Sequence, residues 1–228
     1  MNLISKDVGR ATQLFVSDEI QPTKGMYLPE LIRMVTERYG FAESPSVETT
    51  MKQGAIFKQG RFIVGGKKFN IPDMGVFNDG VIVSTFDTKD SEYILDDALM
   101  WLKETFGIRD PQTIIPRTFF SQFVVELESS VEDALRIFDK VRKLFHQSMQ
   151  DTYKGIEIPA VGLSSIGFGI DSKNIPGIRE PIFSLERRVG RPYTENRYFC
   201  SAPLKTEDHL ELLAVLADAI APKKSTKL

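Results

Sequence analysis

The stretch from Thr50 to Phe86 constrains this chain most, because short aromatic and β-branched runs alternate there with Gln59-Gly60, Gly65-Gly66 and Asn78-Asp79-Gly80. Residues that tolerate positive φ reverse a chain in very few positions, so the segment reads as an antiparallel meander with strands near 51–58, 61–71 and 75–86. Phe57, Phe62, Phe69 and Phe77 read as its core-facing residues, with a partner-binding patch as the alternative use.

Helices flank the meander. Pro29 suits a first helical turn, Leu31, Ile32, Val35 and Tyr39 share one face, and Gly40 ends the run. A second helix over Asp90–Phe106 places Tyr93, Ile94, Ala98, Trp101 and Leu102 on one side and stops at Gly107. A strand over Ala11–Ile20 precedes both.

Beyond Asp110-Pro111 the same order returns. Phe119–Leu127 reads as a strand, and Ser129 with Glu132 has the spacing of a capping box. The helix it opens carries Val131, Leu135, Phe138, Val141 and Phe145 to about Met149. Strand-like runs near 156–170, 181–189 and 197–202 lead to a last helix over 206–220, with Leu210, Leu213, Leu216 and Ile220. The fold class is therefore α+β, with antiparallel sheets and covering helices. The halves read as units over 1–110 and 111–221, or as one continuous domain, with 222–228 a solvated tail. Thr88-Lys89-Asp90 corresponds to Thr206-Glu207-Asp208, which points to a duplicated β-α-β-β-β-α unit.

Composition narrows function mainly by exclusion. The chain has 228 residues, of which 42% are hydrophobic and 26% charged, close to globular averages. A net charge of -2 supplies no general pull toward nucleic acid or anionic membrane. No apolar run is long enough to span a bilayer, and Met1–Asp7 lacks the pattern of a secretory signal. The lone Cys200 rules out an internal disulfide framework and any site of several thiolates, and it reads as a buried, inert thiol in a reducing compartment. The expectation is a cytoplasmic protein off the membrane, with no cofactor and no metal.

Catalytic patterns are broken or missing. His146 and His209 have no metal-ligand partner at helical spacing and read as surface or helix-end residues. Gly162-Leu163-Ser164-Ser165-Ile166-Gly167 misses the nucleophile-elbow spacing by one residue, and Gly167-Phe168-Gly169 lacks the third glycine of a dinucleotide loop. Asp87, Asp90, Asp96 and Asp97 lie on one helix, where the first-turn acids are explained by the helix dipole. No catalytic residue is assigned.

One cluster invites a binding role: Arg179, Glu186, Arg187, Arg188, Arg191, Tyr193 and Arg197. Arginine forks grip carboxylates and phosphates at two points, so the group could hold an anion or anchor an interface. Cross-strand ion pairing is the plainer reading, and alternation puts Glu186 and Arg188 on one face with Arg187 on the other. The expected function is a non-catalytic protein-interaction or assembly protein whose partner is another protein or a second copy. An enzyme using the arginines to hold a phosphorylated or nucleotide substrate is the alternative, with a small anionic ligand as partner. A nucleic-acid binder ranks below both.

Overall fold

The computed structural model describes residues 1–20, 22, 25, 27–135, 138–159, 161–169 and 182–221. Eight strands form one antiparallel sheet: β1 (Asn2–Leu14), β2 (Ala55–Val64), β3 (Lys67–Phe77), β4 (Gly80–Thr85), β5 (Thr118–Glu126), β6 (Ser165–Gly169), β7 (Ile182–Arg187) and β8 (Arg197–Ala202). The helices are α1 (Ser17–Ile20), α2 (Leu28–Tyr39), α3 (Val47–Gln53), α4 (Thr88–Phe106), α5 (Val131–Ala134), α6 (Asp139–Thr152) and α7 (Thr206–Ile220). No helix among the described residues is long and apolar enough to cross a membrane.

Strand order is β2-β3-β4-β1-β5-β8-β7-β6. It reads the same from either end when β1 is matched with β5, so both halves share the β-α-β-β-β-α connectivity. At the junction Gly9 lies opposite Ser121 and Ala11 opposite Phe119. That register puts Ala11, Phe119, Ser121, Phe123 and Val125 on one face, because side chains alternate along a strand. Onto this face α2 brings Leu31, Val35 and Tyr39, and α4 brings Ile94, Leu95, Ala98 and Leu102, closing one buried cluster with Phe57, Ile71, Met74 and Val83. From α7, Leu213 and Ile220 close a second with Phe123, Val125, Leu185 and Cys200.

The two halves meet where α4 and α7 begin. The Thr88 N–H donates to Thr206 Oγ1 at 2.9 Å and the Thr206 N–H to Thr88 Oγ1 at 2.8 Å. Each threonine satisfies an orphan donor at the start of the other helix. Lys89 pairs with Glu207, and Lys205 with Glu92 at 3.0 Å, across the same joint. The short sequence match between the halves is thus the seam that joins them.

The opposite face repeats this symmetry in polar form. Arg10 Nε donates to Ser84 Oγ at 3.0 Å, and Ser84 Oγ donates to Asp73 Oδ1 at 3.0 Å, across β1, β4 and β3. The matching row on β5, β8 and β7 is Gln122, Ser201 and Ser184, whose two hydroxyls lie 2.8 Å apart.

Several boundaries differ from the sequence expectation. The first strand spans residues 2–14, and residues 17–20 are helical. Ser46 Oγ accepts from the Thr49 N–H at 3.1 Å, so 47–53 winds into α3, and 51–53 are helical where a strand was expected. Gln59-Gly60 does not reverse the chain. Gln59 adopts φ 57° inside β2, and that kink lets Phe57 and Phe62, an odd number of residues apart, both face the core. The expected helix to Met149 is broken: α5 ends at Ala134, capped by Leu135, and α6 starts afresh at Asp139.

Gly9 marks the closest approach of a glycine to another backbone segment among the described residues. A Cβ there would lie 2.5 Å from the Asp87 carbonyl carbon and 2.6 Å from the Thr88 nitrogen, both backbone atoms at the start of α4. Gly9→Ala is expected to destabilise the fold by about 1–3 kcal/mol, since backbone cannot step aside as a side-chain tip can. Urea unfolding checks this; an unchanged midpoint would mean that β1 and α4 are not held this close.

Candidate functional site

Arg187 ends β7, whose alternating Phe183 and Leu185 are buried, and the same alternation carries the guanidinium inward. Its side chain is 7% exposed. Nε donates to the Leu163 carbonyl at 3.2 Å, Nη1 to the Tyr193 carbonyl at 2.8 Å and Nη2 to Ser130 Oγ at 3.4 Å. Glu132 lies 3.8 Å away, and the rings of Tyr193 and Tyr198 sit 4.3 and 5.1 Å from the guanidinium carbon. The fork is occupied by the protein itself, tying β7 to the start of α5 and to the turn at Tyr193–Glu195.

The rest of the arginine cluster does not converge. Arg197 Nε donates to Glu126 at 2.9 Å and lies 3.4 Å from Glu195, which Arg191 approaches at 3.9 Å. Glu186 and Arg188 are exposed and point away from Arg187. Tyr193 is partly exposed beneath the Arg187 fork. Arg179 lies outside the described residues. The hollow beside Arg187, walled by Glu132, Leu163, Ile166 and Tyr198, is about 10 Å³, room for about one water. These contacts are cross-links within the fold; a clamp would need forks turned toward shared space.

His209 departs from the expected surface role. It is fully buried on α7, with Nδ1 2.8 Å from Ser121 Oγ and its ring against Phe123 and Phe183 at 4.7 and 6.0 Å between centroids. Nε2 has no partner among the described residues. Burial pushes its pKa down to about 4, so the ring is neutral at pH 7. A serine beside an imidazole can begin nucleophilic chemistry, but both residues are sealed from solvent and no substrate reaches them. Periodicity held a signal for His209: it shares a helical face with Thr206 and Leu213, both buried. His146 is half-buried and its Nε2–H donates to the Ile158 carbonyl at 3.2 Å. Cys200 is buried as expected, and burial pushes its thiol up to about 12. No cluster of metal-ligating side chains occurs among the described residues.

Two features face solvent instead. A shallow groove of about 740 Å³ crosses β2 and β3, lined by Gln59, Arg61, Asn70, Pro72 and Phe86. The second is α6, whose amphipathic pattern is inverted. Three polar residues form its less exposed side: Arg142 lies 3.6 Å from Glu132, while His146 and Gln150 reach the Ile158 carbonyl. Its apolar residues face out, with Phe138 51%, Val141 63%, Leu144 68% and Phe145 54% exposed. The sequence expectation put Phe138, Val141 and Phe145 on one continuous helix with Val131 and Leu135. The two helices are separate, and Val131 alone of these five is fully buried.

No protein-family model matches this chain, and no curated protein matches it.

Proposed function

We propose that this protein is a non-catalytic interaction or assembly protein, and that a protein partner docks on the outward face of α6. The inverted helix carries the reading. A helix normally turns its apolar stripe to the core, because burying a large apolar side chain is worth about 1.5–3 kcal/mol. Here four such side chains lie at i, i+3, i+6 and i+7 on solvent, while the inward face is pinned by hydrogen bonds and an ion pair. Contiguous apolar surface of that kind marks an interface. The arginines, committed to cross-links inside the fold, fit an assembly scaffold better than an anion-binding active site. A cytoplasmic location goes with this reading, since the single thiol is buried and inert.

The double variant V141S/F145S tests it. These side chains lie outside both buried clusters, so the melting transition should move by no more than about 0.5 kcal/mol in stability. Native mass spectrometry of gently purified protein should show a stoichiometric complex for the natural chain and a monomer for the variant. A bare monomer from both would contradict the proposal.

A small anionic ligand in the groove is the second reading, favoured by Arg61, Asn70 and Phe86 lining one hollow of ligand size. A retained small molecule that Arg61→Ala abolishes in the same spectra would support it.

A further inference from the structure

We infer that the partner of α6 is a second copy of this chain, docked through an antiparallel α6–α6′ pair. The inference rests on the proposed role of α6 as the docking surface and adds what occupies it.

The helix is self-complementary in apolar spacing and in charge. Phe138, Val141, Phe145 and Thr152 lie on one stripe at spacings of three, four and seven residues. Lys140 and Asp151 are eleven residues apart, close to three whole turns, so both stand on the same flank of that stripe. When two identical helices pack antiparallel about a two-fold axis, the same flank of each faces its counterpart. Placing the axis between Phe145 and His146 then sets Lys140 of each copy beside Asp151 of the other, giving two equivalent ion pairs. The same register puts Phe145 against its own copy at the axis and Phe138 near Tyr153 of the second chain, whose ring is 49% exposed.

Asp151 is exposed and uses Oδ1 to accept from Gln147 at 3.0 Å, leaving the other oxygen for a lysine. Lys140 is also exposed, and no ion pair within its own chain holds it among the described residues. Lipid is a poorer fit. An interfacial helix keeps a basic polar face toward headgroups, whereas here the acidic Asp151 stands on the same flank as Lys140, and Arg142 is turned to Glu132 and Asp139. A 14-residue helix is about 21 Å long, so the contact falls below the obligate class and the dimer is reversible.

Sedimentation velocity on the full chain tests the inference. The average mass should rise from one chain toward two over about 1–100 μM. K140E alone and D151K alone should each weaken association about tenfold, since each places like charges together twice, and K140E/D151K should restore it. Phe145→Cys should form a disulfide-linked dimer on mild oxidation, because Cys200 is buried. A chain that stays monomeric throughout, with Phe145→Cys not cross-linking, overturns the inference. If that monomer co-purifies with a different protein lost in V141S/F145S, the docking role of α6 stands and only the second copy fails. If it binds phosphatidylcholine–phosphatidylserine vesicles instead, or binds nothing, both fail.

Discussion

Arg187→Ala is expected to lower stability by about 3–5 kcal/mol, while Arg188→Ala, one residue along, changes it by no more than about 0.5 kcal/mol. Arg187 is nearly buried and makes three hydrogen bonds, two of them to the carbonyls of Leu163 and Tyr193. Removing it strips those carbonyls and leaves Glu132 with Arg142, 3.6 Å away, as its remaining cation. Breaking a buried charged contact costs more than forming it gains, because the partners left behind are desolvated without compensation. Arg188 is exposed, and its backbone N–H donates to the Arg197 carbonyl, a bond that alanine keeps. For a chain of this length the Arg187 loss lowers the melting temperature by about 10 °C. Thermal unfolding of both variants checks the contrast; equal, small effects would show that Arg187 does not cross-link β7 to α5 and the Tyr193 turn.

Acid is expected to destabilise the protein through His209. The pKa is about 4 in the fold against 6.5 for an ordinary histidine, a depression caused by burial. Above pH 6.5 the ring is neutral both folded and unfolded, and the group adds no pH dependence. As pH falls from 6.5 to 4 the unfolded chain takes up a proton that the native state refuses, so stability declines and then levels off. The full loss is about 3 kcal/mol. Carboxylates in ion pairs also lose their contribution in acid, so the test compares the natural chain with His209→Gln by urea unfolding across pH 4–7. The difference in stability between the two should shrink as pH falls. A constant difference would mean that His209 is not held neutral.

Helices whose apolar residues recur every three or four positions and end at glycine were legible in the sequence. Gly40 and Gly107 adopt the left-handed conformation at the ends of α2 and α4, and the last helix runs over 206–220 as expected. Alternation likewise separated Arg187 from Glu186 and Arg188. What failed was long-range choice. Gln59-Gly60 has the residues of a turn, but pairing with β3 on both sides of the kink keeps the strand extended. The residues from Val131 to Phe145 fit one helix by spacing alone. The direction of α6 depends instead on Glu132 and the Ile158 carbonyl, which meet Arg142 and His146 only after the chain returns. That is why the sequence pointed to the arginine cluster, while the outward apolar face became visible only in three dimensions.

The most direct test of α6 as a docking surface is the reactivity of a single thiol on it. Val141→Cys introduces one accessible cysteine, because Cys200 is buried with its thiol pushed up to about 12. Its labelling rate, compared with that of Glu104→Cys on the exposed side of α4, should fall as protein concentration rises, showing that assembly covers this face. Equal rates at every concentration, together with equal rates in the gently purified protein, would contradict the claim that α6 is a docking surface.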